Sequence, residues 1–120
     1  MTTQDSCCTI VPYFRVEQGN REIFRDLSKK LVEKTMDEAG CLYYGFSFCD
    51  DQAHCREGYV DAAALLAHLE NVGPILDEIL KYCEISRLEV HGPGAELEKL
   101  RAPLAGLNPQ FFTLAHGFRR

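Results

Sequence analysis

The stretch CLYYGFSFCDDQAHCREGYVDAAALLAHLENV, residues 41–72, decides the fold. Cys41 to Cys49 and His54 to Val60 are strand-like runs rich in aromatic residues, and Asp50, Asp51, Gln52 and Ala53 between them supply a hairpin turn. If Cys49 lies opposite His54, then Tyr44, Phe46 and Phe48 share a face with Cys55, Glu57 and Tyr59. A shift of one residue reverses that arrangement, so the register stays open at this level. Asp61 then offers an N-cap to the helix AAALLAHLENV. Gly73-Pro74 predicts its end, ahead of a second helical run, ILDEILKYC, bent away from the first.

Upstream of this block, TIVPYFRV (residues 9–16) reads as a strand, and Pro12, which has no N–H to donate, predicts an edge position or a bulge there. Between Arg21 and Ala39 the residues Ile23, Phe24, Leu27, Leu31, Val32 and Met36 recur at helical spacing, with Gly40 as the closing glycine. Downstream, EISRLEVH (residues 84–91) forms a further strand stopped by Gly92-Pro93-Gly94, and Ala95 to Leu104 a short helix. FFTLAHGF (residues 111–118) forms a terminal strand or arm, placed to pair with or wrap a partner.

The order is β-α-β-β-α-β with a C-terminal extension, the ferredoxin-like α+β plan. One domain spans residues 1–120, with a core over about 8–92 and an extension over about 93–120. The four-stranded antiparallel sheet carries its helices on one face. An apolar sheet face left in water is a liability, so a second copy of the chain is expected to cover it as a homodimer.

Composition narrows the function. The chain has a net charge of −5 and its lysines and arginines are scattered, which excludes the basic stripe of a nucleic-acid binder. No run approaches the roughly 20 apolar residues of a membrane span. Residues Met1 to Ile10 lack the basic start of a secretory signal, so a cytoplasmic protein is expected. Its six cysteines, two of them adjacent (Cys7 and Cys8), are then mostly free thiols. Cys49, His54 and Cys55 form the one cluster with metal-ligand chemistry, but they lack the paired spacing and the fourth ligand of a zinc site, so no metal is assigned. No phosphate-binding glycine loop is present, and no cofactor is expected.

The segment from Glu38 to Leu76 resembles the antibiotic biosynthesis monooxygenase family of dimeric α+β barrels. The resemblance rests on Glu38 and Gly40, the strand residue Tyr44, Glu57 followed two residues later by the aromatic Tyr59, and a helix carrying Ala64 and His68. Tyr59 stands where that family usually has Trp, and the chain has no Trp, which departs from the haem-degrading branch. Haem binding by His68 without degradation is a third reading. The resemblance implies a cofactor-independent monooxygenase acting on a quinol or polyphenol-like aromatic molecule. The alternative is a non-catalytic dimeric module that binds a small molecule in the same pocket.

On the catalytic reading His68 is the base, because a neutral imidazole can take a phenolic proton near neutral pH. Glu57 orients it, Tyr59 stands beside them, and Tyr44, Phe46 and Tyr59 wall the pocket. Arg56 or Asn71 supplies the counter-group for the phenolate. The structural alternatives stand beside these roles. His68 could be a core-edge histidine bonded to Glu57 or to a backbone carbonyl, and Glu57 could pair with Arg15 or Arg87 across the sheet. Arg56 and Glu57 are adjacent in a strand, so only one of them enters a given pocket. Gly45 and Gly58 leave room for a bulge or for close approach of a ligand.

Overall fold

The computed structural model describes residues 5–120; residues 1–4, part of the polar start weighed against a secretory signal, lie outside the described residues. Five strands and three helices follow in the order β1 (Cys8–Arg15), α1 (Arg21–Thr35), β2 (Cys41–Cys49), β3 (Gln52–Tyr59), α2 (Ala62–Ile79), β4 (Glu84–Gly92), α3 (Gly94–Leu104) and β5 (Gln110–Thr113). They build one sheet in the spatial order β2-β3-β1-β4-β5, antiparallel except for the parallel pair β4–β5. This is the ferredoxin-like α+β arrangement with one added strand. Among the described residues no helix is long and apolar enough to cross a membrane.

The hairpin turns on Asp50, whose φ of 52° lies in the left-handed region that aspartate tolerates better than most residues. Cys49 faces Gln52 and Tyr44 faces Glu57, two residues away from the Cys49–His54 alignment. Because side chains alternate with period two, that displacement leaves every residue on the same face. Tyr44, Phe46 and Phe48 thus lie on the helix side with Ala53, Cys55 and Glu57.

Of the two forms expected at Pro12, an edge or a bulge, the structure takes the bulge, for β1 lies in the middle of the sheet. It accommodates Pro12 through a bulge against β4 between Tyr13 and Phe14, and through a gap in the paired register with β3 between Ile10 and Tyr13. The helix α2 does not break at Gly73-Pro74 but runs through both to Ile79. Its apolar row continues across the proline, with Val72 and Ile79 buried, so packing outweighs the lost hydrogen bond. α1 ends at Thr35, and Gly40 is not its cap. Gly40 is instead a point of close approach: a Cβ there would lie 2.6 Å from that of Ala64 on α2. The terminal segment pairs its own β4, Val90 opposite Phe111, and so completes the sheet within the chain.

The buried stripe of α1 is Phe24, Leu27, Ser28, Leu31 and Thr35, while Ile23 and Met36 face outward. Asp61 caps α2 as expected, accepting a 2.8 Å hydrogen bond from the backbone N–H of Ala64.

The core divides into two clusters. One gathers Cys8, Ile10, Tyr59, Leu65, Leu88, Val90 and the leucines of α3. The other gathers Phe14, Val16, Phe24, Leu27, Leu31, Ala53, Cys55, Val72 and Ile79. Three elements cross the boundary, and each places a different kind of residue there. Pro12 falls between Ile10 and Phe14, Glu57 between Cys55 and Tyr59, and His68 between Leu65 and Val72.

Candidate active site

A narrow cavity opens at that boundary. Its polar lining comes from Glu57 and His68, its aromatic lining from Phe14 and Tyr44, and Cys55 with several aliphatic side chains completes it. Strand pairing sets the floor: Glu57 on β3 stands between Ile10 of β1 and Tyr44 of β2. From α2, His68 descends onto this row, its ring 5.2 Å from that of Tyr44 and 5.0 Å from that of Tyr59.

His68 is 2% exposed, and both its ring nitrogens face carboxylates. Nδ1 lies 2.9 Å from Oε2 of Glu38, and Nε2 lies 3.5 Å from Oε1 of Glu57. A short bond to a carboxylate places the Nδ1 proton on the Glu38 side, which leaves Nε2 with its lone pair toward Glu57 and the cavity. Burial lowers the affinity of His68 for a second proton below its ordinary value, although Glu38 pulls the other way.

Glu57 is 5% exposed, and its oxygen Oε1 accepts a 2.6 Å hydrogen bond from the Tyr59 hydroxyl. Burial raises its pKa to about 7, against the opposing pull of the bonds from Tyr59 and Cys55, while the charge of Glu38 adds to the rise. Desolvation also pushes the Tyr44 and Tyr59 phenols and the Cys55 thiol upward, so all three remain protonated. The arrangement is an acid–base pair: a neutral imidazole and a carboxyl group that changes state near neutral pH, set in an apolar slot.

The structure sorts the remaining sequence candidates. Phe46 lies on the helix side but packs in an aromatic cluster, 5.5 to 6.4 Å being the range of ring separations that joins Phe14, Phe24, Tyr44 and Phe46. Arg56 points to the opposite face of the sheet, its guanidinium 4.9 Å from the ring centre of Tyr43. Asn71 donates to Oε2 of Glu38 at 2.8 Å and to the Lys34 carbonyl at 3.2 Å, so it touches the site through Glu38. Neither Arg15 nor Arg87 takes Glu57; they pair with Glu84 and Glu89 instead. The space beside Gly58 is filled from the outer face by the ring of Tyr43, 2.5 Å from a notional Cβ. His54 packs against Tyr13 on that outer face, the two rings tilted at 52°, while Cys55 is buried on the other, so the Cys49, His54, Cys55 cluster does not converge. Among the described residues no three His, Cys, Asp or Glu side chains are grouped to hold a metal ion.

One partner of His68 carries no signal in residue type or spacing. Glu38, noted only as part of a family pattern, is the closest partner of His68 and reaches it from the turn between α1 and β2. No periodicity marks a residue in such a turn; only the family pattern that it shares with Gly40 points to it.

The model of the antibiotic biosynthesis monooxygenase family matches residues 8–73, more than half of the chain. The chain belongs to that family. Among solved structures it is similar to MupZ from Pseudomonas fluorescens, with 46% identity over all of this chain and 94% of that one, and a TM-score of 0.96. A conserved protein of Bacteroides thetaiotaomicron is 25% identical over 72% of this chain and 96% of its own, with a TM-score of 0.65. An antibiotic biosynthesis monooxygenase-like protein of Nitrosomonas europaea shares the fold at 16% identity, over 78% of this chain and 96% of that one, with a TM-score of 0.68. No protein of curated function matches the chain.

Proposed function

We propose that the chain is a cofactor-independent monooxygenase of a quinol or polyphenol-like small molecule, with His68 as its base. The observation that carries this reading is the orientation of His68, fixed through Nδ1 by Glu38 so that Nε2 faces the cavity. Nε2 takes the proton of a substrate hydroxyl, and Glu38 offsets the charge that forms on the imidazole. The phenolate supplies the electrons that dioxygen needs. A ring C–H becomes a carbonyl, and the second oxygen atom leaves as water with the hydroxyl and ring hydrogens, so no outside reductant enters. Glu57, in its protonated form, donates to oxygen in the substrate, while Tyr44 lines the polar end and Tyr59 holds Glu57 in place through its hydroxyl. Arg56 and Asn71, away from the cavity, have no direct part in this scheme.

The working form is a homodimer. The outer sheet face bears Val11, Tyr13, Tyr43 and Phe112, and the helices α1 and α2 cover only the other face. A second copy over this face would give the closed α+β barrel of the family. All six cysteines are unpaired, in keeping with the reducing cytoplasm we assign to it.

The paired acid and base favour a second reading, redox-neutral proton transfer such as isomerisation or intramolecular addition. Oxygen uptake with a panel of quinols decides between the two. Uptake that depends on His68 supports the monooxygenase. Turnover of the same compounds under anaerobic conditions would replace it with the redox-neutral reading.

A further inference from the structure

We infer that the substrate carries a slim, unbranched aliphatic chain, which lies along α2 with its hydroxyl-bearing end at His68 and Glu57. The inference rests on the acid–base reading of that end of the cavity and specifies what occupies the rest.

Four observations lead to it. First, beyond Tyr44 and Phe14 the lining turns aliphatic: Leu69, Val72, Leu76 and Leu80 from the α2 side face Ile85 and Leu88 of β4. Second, polarity is confined to one end. Glu57 and His68 sit at the junction of the two core clusters, and the other polar side chains of the lining, Tyr44 and Cys55, adjoin them. Third, the slot is long. At a helical rise of about 1.5 Å per residue, the row from His68 to Leu76 spans about 12 Å, and Leu80 extends it. Fourth, the slot is thin. Val72 on α2 and Leu88 on β4 line it yet are almost fully buried, so the side chains of the two elements leave little free width between them.

Width decides between occupants. A fused ring system needs breadth along the whole slot, whereas a methylene chain needs only the width of one carbon and can follow the row of leucines. Such a chain also gains from a site that binds water poorly, since apolar cavities stay dry. The far end is where the chain would emerge. Ile85 and Leu107 line the slot yet are 36% and 44% exposed, a pair of large apolar side chains left at the mouth.

The test is a homologous series of 1-alkanols, from butanol to decanol, titrated calorimetrically into the whole protein. Each methylene that enters the slot should tighten binding by about fourfold, the equivalent of about 0.8 kcal/mol. The gain should level off once the chain passes Leu107. Leu76→Phe, which narrows the slot midway, should bring the plateau to a shorter alcohol. Leu107→Glu, at an exposed position that leaves the core intact, should weaken only the longest members. Affinity that does not change with chain length overturns the inference. The same titration on His68→Gln separates the two proposals. A retained chain-length dependence alongside lost turnover upholds both; a retained dependence with full turnover removes the base but keeps the aliphatic slot.

Discussion

Replacing Glu57 by Gln tests the electrostatics of the site without any knowledge of the substrate. The buried carboxyl keeps its proton up to about pH 7, against an ordinary 4.5. Between those values the folded chain binds a proton that the unfolded chain has released. Stability therefore falls as pH rises through this interval, and the full cost is present above pH 7. At about 1.36 kcal/mol per pH unit the cost comes to roughly 3 kcal/mol. That is a large share of the 5–15 kcal/mol typical of a domain. Gln is close in shape, its carbonyl can accept the bond from Tyr59, and it does not titrate. The variant should match the parent near pH 5 and exceed it by about 2 to 3 kcal/mol at pH 8, as read from urea unfolding midpoints at the two pH values. His68, lowered below its ordinary value by burial, has the opposite sign and costs stability as pH falls, but it is present in both proteins and leaves their difference largely unchanged. A constant difference between the two proteins from pH 5 to pH 8 would refute the raised Glu57.

Other expectations follow from the same geometry. His68→Ala should reduce turnover at least about a hundredfold, with melting temperature measured on the same preparation; full turnover in a folded but weakened protein would end its role as base. The pH profile of activity should be a narrow bell, its acid limb set by His68 below the ordinary histidine value and its alkaline limb by Glu57 near 7. Light scattering should give twice the 13.6 kDa mass of one chain, and Tyr13→Asp on the open sheet face should return it to a monomer. Gly40→Ala should cost about 1 to 3 kcal/mol through its clash with Ala64, and adding Ala64→Gly should recover most of that in a double-mutant cycle.

The order of elements was legible because each strand and helix carries its own local signal: the aromatic runs about Asp50 and Asp51, the Asp61 cap, and the 3.6-residue spacing of α1. Positions within the sheet were not legible. Pro12 argued for an edge or a bulge without choosing between them; β1 is central and takes the bulge, because two neighbouring ladders can skip a residue where a single hydrogen bond is missing. Pro74 misled: a local penalty of about 3 kcal/mol is smaller than the burial of the apolar row on either side of it. At the site, His68, Glu57, Tyr59 and Tyr44 were legible as residue types on facing elements, and the structure brings them together. Arg56 was not separable from Glu57 until the register was known, since adjacent strand residues exchange faces with every one-residue shift.

The division of the core explains why the polar residues can be there at all. A carboxyl and an imidazole inside a continuous core would break its packing and stand without partners. Here each strand or helix that crosses from one apolar cluster to the other places a single residue at the seam, and two of the three are Glu57 and His68. Glu57 is bonded by Tyr59 and His68 by Glu38, so the burial that raises Glu57 is not also a loss of hydrogen bonds. The apolar clusters on both sides stabilise the fold, while the seam keeps an unfilled slot and a carboxyl poised near neutrality. On that division of labour Glu57→Leu, which leaves the buried Tyr59 hydroxyl without an acceptor, should raise stability above pH 7 by less than Glu57→Gln does, and should abolish turnover while the sheet and helices stay intact.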